Sequence, residues 1–203
     1  MSNKIKVVAF YGKAGAGKDA ILQGLMKTWG QYLNLNEIVS CTTRPPREGE
    51  INHINYHFET VESFSQMVLN GDMLEATEFN GWFYGTPLFS LDPDRINVGV
   101  FNPAGLYALM EDSRLEVLPI HINASDKTRL LRQLNREDAP NVAEICRRYF
   151  ADEKDFDELF CNDEIGDELH WGIDNDSGLL GDRVKLVMRL IEAFGQNRLS
   201  DFY

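Results

Sequence analysis

Positive charge is scarce in this sequence. It has 20 Lys and Arg against 32 Asp and Glu, a formal net charge of −12 and a pI near 4.7. A surface so acidic excludes sequence-independent binding to nucleic acid or to an anionic membrane. No stretch of about twenty apolar residues is present, which excludes a membrane-spanning helix of ordinary length. Cysteine is sparse too. Cys41, Cys146 and Cys161 are odd in number and far apart, so neither a disulfide framework nor a metal-ligand pairing is expected. The opening MSNKIKVV leads directly into an apolar run without the shape of a signal peptide. A reducing, cytoplasmic setting is expected. Internal repeats and low-complexity tracts are absent. None of this excludes a small anionic ligand, because a basic pocket fits inside an acidic shell. At 203 residues and 43% hydrophobic, the chain is long enough for one well-filled domain with small excursions.

What is there begins at Val7–Ala20, VVAFYGKAGAGKDA. Val7 to Phe10 read as a buried strand. A GxxxxGK loop follows, and then an apolar helical pattern carried by Ile21, Leu22, Leu25, Met26 and Trp29. Strand, glycine loop and helix together give the context of a phosphate-binding P-loop. Its glycines let successive N–H groups turn inward on a phosphate, and the helix adds its positive end. The expected nucleoside triphosphate contacts are Gly12, Ala14, Gly15, Ala16, Gly17, Lys18, Asp19 and Ala20. The plain alternative is a glycine-rich surface turn. The position after Lys18 is Asp19, where a P-loop usually places Ser or Thr. A carboxylate is a hard oxygen ligand, so Asp19 is the candidate for Mg²⁺. Without the metal it would repel a phosphate about 5 Å away by roughly 3 kcal/mol at an effective dielectric near 20.

Ile38–Ser40 reads as a short strand. Ser40-Cys41-Thr42-Thr43-Arg44-Pro45-Pro46-Arg47-Glu48-Gly49-Glu50 comes next. Two prolines stiffen it. They space Arg44 and Arg47 as a pair of guanidinium forks beside hydroxyls, suited to a phosphate dianion. An ordinary solvated basic loop is the alternative. Thr60–Asn70 reads as an amphipathic helix closed by Gly71. Asn80-Gly81 marks a tight hairpin between Leu74–Phe79 and Trp82–Thr86.

The run SxTTRPPRxGE, the following Tyr56-His57-Phe58, and the Glu75…Gly81…Tyr84-Gly85-Thr86 hairpin resemble the monophosphate-binding region of guanylate kinases. The resemblance is good from Ile5 to about Thr86 and collinear to near Phe194. It implies a P-loop α/β fold, a three-layer sandwich around a parallel sheet. Residues 1–40 and 87–203 would form the core, residues 41–86 an α+β insert, and residues 135–148 a helical lid. Ser40, Arg44, Arg47, Tyr56 and Tyr84 would grip the GMP phosphate. Glu75, Thr86 and Thr43 would contact guanine, whose adjacent N–H donors suit an acceptor-only carboxylate. Arg132, Arg136 and Arg148 would be lid cations, acting with Lys18 on the phosphoryl group in transfer. Asn175 would contact adenine. The implied reaction is ATP plus GMP or dGMP giving ADP plus GDP or dGDP with Mg²⁺, in a monomer or homodimer.

The sequence departs from the family where two acids are usual. Val100 and Asn102 stand there, and Asn102 is the remaining candidate base contact. Two alternatives stay open: a kinase for another nucleoside monophosphate, and a weakly catalytic module that binds phosphorylated ligands. Further on, Glu116–Ile122 reads as a strand. Asp126 is expected to cap a helix carrying Arg129, Arg132 and Arg136, the last two on one face. The acid-rich stretch 152–168 reads as a solvated face, and Gly181–Phe194 as a closing amphipathic helix.

Overall fold

The computed structural model describes residues 4–46, 49–79, 81–136, 139–160 and 171–202. Strand β1 (Ile5–Tyr11) is central in a five-stranded sheet ordered β2-β7-β1-β8-β9. Its partners are β7 (Ile96–Val100) and β8 (Leu115–Asn123). The edges are β2 (Leu35–Glu37) and β9 (Trp171–Asp174). All pairings are parallel. A parallel sheet needs cover on both faces, and the alternation along β1 shows how it gets it. Val8 and Phe10 point to one face, where α1 (Lys18–Trp29) and α6 (Leu180–Gly195) supply Ile21, Leu22, Leu25, Val187, Leu190 and Ile191. Val7, Ala9 and Tyr11 point to the other. There α3 (Pro103–Glu111) and α5 (Val142–Phe160) supply Leu106, Leu109, Phe156 and Leu159. The result is a three-layer α/β/α core.

Between β2 and β7 the chain builds a second sheet, ordered β4-β3-β6-β5. It contains β3 (Cys41–Thr42), β4 (His57–Phe58), β5 (Met73–Phe79) and β6 (Trp82–Pro87). Its pairings are mixed: β3 with β4 is parallel, and β6 is antiparallel to both β3 and β5. Helix α2 (Val61–Asn70) packs beside it, capped by the Thr60 hydroxyl on the Ser63 N–H and ended by Gly71 at φ 75°.

Three local expectations are corrected. The strand expected at 38–40 lies at Leu35–Glu37, because the turn through Asn34 (φ 52°) brings Leu35 opposite Ile96. Ile38 still donates its N–H to the Val98 carbonyl, but outside the strand. The cap of α4 (Asp126–Leu134) is Ser125, not Asp126; the Ser125 hydroxyl accepts the Thr128 N–H. Helix α4 stops at Leu134, so Arg132 and Arg136 do not share a helical face. No helix among the described residues is long and apolar enough to cross a membrane. Cys41 is buried and Cys146 exposed; Cys161 lies outside the described residues.

Leu25 is fully buried between α1 and the sheet. Leu25→Ala is expected to lower the unfolding free energy by about 2–5 kcal/mol, read as a shifted midpoint in urea; a change below about 1 kcal/mol would contradict this packing.

Candidate active site

The P-loop folds as it does because side chains have no room in it. A Cβ on Gly12 would lie 2.1 Å from the Ile122 carbonyl oxygen, and one on Gly15 2.5 Å from that of Arg129. Gly17, the cap of α1, sits at φ 97°. The turn thus lies at the positive end of α1, with the Ala16 N–H donating to the Lys13 carbonyl at 3.2 Å. Lys18 curls back over the loop and donates to the carbonyls of Gly12 (2.6 Å) and Lys13 (3.3 Å). Burial pushes its ammonium below the usual lysine range, against the opposing pull of Asp19 and Asp152.

Two predicted residues brace this loop from behind. The Arg132 guanidinium donates to the carbonyls of Ala16 (3.2 Å) and Asn175 (2.7 Å). The Asn175 amide donates to Ala16 at 2.7 Å. Both side chains are thus spent on the backbone of the glycine turn rather than turned to a cavity.

In front of the loop is a cavity of about 700 Å³. Ala14 and Asp19 form its P-loop wall. Ser40, Arg44, Tyr56 and Tyr84 line the side made by the second sheet. Half-buried Glu75, buried Thr86, exposed Asn102, and Arg136 and Arg148 complete the lining. Eleven predicted residues are therefore brought together, and the concavity spans from the glycine loop to the arginine loop. Arg47 lies outside the described residues. Thr43 is not brought in. Its hydroxyl accepts the Phe83 N–H at 2.9 Å and its own N–H donates to the Phe83 carbonyl, so it joins the strands instead. Ala20 is on the exposed surface of α1.

The arginine wall is ordered by its own partners. Arg44 makes a two-pronged pair with Glu50, both contacts 2.9 Å. Its guanidinium also lies 5.6 Å from the Tyr56 ring centre and 5.7 Å from that of Phe58. Stacking and a forked pair hold the cation in place at the cavity wall. Arg148 is held by Glu144, one turn earlier on α5. Deeper in, the Thr86 hydroxyl donates to Glu75 at 2.8 Å. Burial raises the Glu75 carboxyl above the usual range, and the Thr86 hydrogen bonds oppose the rise.

The acidic stretch after Arg148 is the largest correction. Asp152 and Glu153 do not belong to a solvated face. Asp152 accepts the Ala14 N–H of the glycine loop at 2.5 Å. Glu153 pairs with Lys13 at 2.5 Å and with the buried Arg129 at 3.0 Å. Gln23, Glu78 and Asp155 also line the cavity. The roles of Asp152, Glu153 and Asp155 were missed because a run of acids on a helix carries no sign of which face meets a distant loop, and Gln23 and Glu78 belong to no motif. Among the described residues no group of three or more His, Cys, Asp or Glu is arranged to hold a metal ion.

A glycine loop closing a parallel sheet, opposite an inserted mixed sheet, defines a P-loop α/β protein with a cleft between the two sheets. The guanylate kinase family model matches residues 4–170, and the chain belongs to that family. Over 87 residues it is 41% identical to a guanylate kinase of Mesoplasma florum, covering 43% of this chain and 29% of that protein. Over 88 residues it is 40% identical to the guanylate kinase of Streptococcus mutans, covering 43% and 41%. These matches thus span less than half of the curated relatives. The crystal structure of guanylate kinase from Anaplasma phagocytophilum superposes over 95% of this chain and 88% of its own, with a TM-score of 0.62 and 18% identity. That likeness speaks for the fold.

Glu75 gives a pH test. Its folded-state pKa lies above the unfolded one, so its ionised form costs stability, and the cost grows as pH rises through the folded value. Glu75→Gln is expected to raise Tm at pH 8, with the difference shrinking toward pH 4. Equal melting curves at both pH values would contradict a buried, ionisable Glu75.

Proposed function

We propose that the protein transfers the terminal phosphoryl group of ATP to GMP or dGMP. The observation that carries this reading is the single cavity walled by the P-loop on one side and by Arg44, Tyr56 and Tyr84 on the other. Two anion-binding surfaces across one cleft suit a reaction between two phosphates. The P-loop amides and Lys18 take the donor phosphates. Ser40, Arg44, Tyr56 and Tyr84, with Arg47, hold the acceptor phosphate. Glu75, supported by Thr86, accepts from the N1–H and amino group of guanine.

The acceptor is already a phosphate oxygen, so no general base is required. It attacks the terminal phosphorus in line as the bond to the leaving diphosphate breaks. Alignment in the cleft provides most of the acceleration. Lys18, Arg136 and Arg148 balance charge on the transferred group and on the leaving oxygens. Arg132 acts at one remove, by fixing the loop on which the donor lies.

Asp19 faces the same cavity from the first turn of α1. One carboxylate suits Mg²⁺, which keeps waters and nucleotide oxygens as its other ligands. When bound, the metal neutralises phosphate charge.

Donor binding has to displace Asp152 from the Ala14 amide. Asp152→Ala is therefore expected to lower the Kd for ATP about three- to tenfold, the worth of one competing hydrogen bond, measured by calorimetry. Unchanged or weaker binding would contradict the competition. The reaction itself is tested by supplying ATP with a panel of nucleoside monophosphates and following ADP release. Turnover with GMP or dGMP is expected, reduced at least about 100-fold in Lys18→Ala. A clear preference for a pyrimidine monophosphate, or no turnover with any, would overturn the proposal.

A further inference from the structure

Glu75 and Asn102 line one cavity, the first an acceptor and the second with an amide to offer, and that pairing bears on which base it takes. Asn102 is the cap of α3, with its side-chain oxygen accepting the Gly105 N–H at 2.7 Å. The hydrogen bond fixes which end of the amide serves the helix. The NH₂ group is then what Asn102 offers the cavity it lines. Glu75 is its neighbour. The Glu75 carboxyl carbon and the Asn102 side-chain oxygen lie 3.5 and 3.2 Å from the same point, the position a Cβ on Gly105 would take.

We propose that Asn102 is a specificity-determining residue that admits a purine lacking the 2-amino group, hypoxanthine, about as well as guanine. The proposal rests on the reading that the cavity takes a purine monophosphate as phosphoryl acceptor. Guanine offers N1–H and two amino N–H donors. Glu75 accepts the first and one of the amino hydrogens. The other amino hydrogen meets the NH₂ of Asn102, donor against donor. Asn102 is exposed, so its NH₂ can turn to water, but the amino group gains no acceptor there, which removes its advantage. Hypoxanthine has a C–H there instead. It keeps N1–H for Glu75 and presents N3 as an acceptor within the same edge. An aspartate at position 102 would cap Gly105 with one oxygen and accept from the amino group with the other.

Asn102→Asp is the useful variant, because aspartate caps a helix as well as asparagine. Initial rates with ATP and either GMP or inosine monophosphate are measured for both proteins. The expected kcat/KM ratio of GMP to inosine monophosphate lies within about tenfold in the natural protein and rises at least about tenfold in the variant. The gain should fall mainly in KM for GMP, with Tm unchanged. A natural ratio above about one hundred that Asn102→Asp does not move would overturn the role of Asn102 and leave the GMP kinase reading standing. No turnover of either monophosphate by either protein would overturn both.

Discussion

The constraint on which the rest depends is the absence of side-chain space where β1 turns into α1. Gly12 lies against the backbone of β8 and Gly15 against that of α4. Any side chain would push the loop off its supports. Arg132 and Asn175 then secure the loop by donating to its carbonyls. Lys18 donates to the Gly12 carbonyl, and in the proposed reaction a phosphate draws it away.

The sheet topology brings the two halves of the site together. The carboxyl ends of β1 and β7 are neighbours, since the strands pair in register from Val7 with Asn97 to Phe10 with Val100. The P-loop leaves one and Asn102 leaves the other. The inserted sheet connects β2 to β7, and it lines the same cavity through Arg44, Glu75, Tyr84 and Thr86. In a chain of net charge −12, Arg44, Arg136 and Arg148 line this cavity among several carboxylates, and Glu50, Glu144 and Asp152 hold Arg44, Arg148 and the Ala14 amide in register.

Much of this was legible in the sequence, for identifiable reasons. The glycine spacing of the P-loop, the Asn-Gly hairpin and the Thr60 and Gly71 helix signals are local, and local signals survive folding. The continuous apolar run Val7–Phe10 marked the buried strand, and the resemblance to guanylate kinases implied the parallel core. Failures came where the outcome depends on distant partners. Leu35 rather than Ile38 begins the edge pairing because of its register with β7. Helical spacing put Arg132 beside Arg136, but the helix ends between them. Thr43 looked like a ligand and is consumed by Phe83. Asp152 looked solvated, and its place on the P-loop is set by the packing of α5 against β1, through contacts such as Tyr11 with Phe156. Asn102 was legible as an exchanged acid, but the use of its oxygen as a helix cap was not.

The central claim is that two separate anion cradles share one cleft. Calorimetric titration of GMP into the protein, alone and in the presence of saturating Mg²⁺ and ADP, tests it most directly. One GMP is expected to bind per chain in both cases, because the P-loop and the arginine wall hold different phosphates. Loss of GMP binding when ADP is present would mean that both nucleotides contend for one cradle, and would contradict the account.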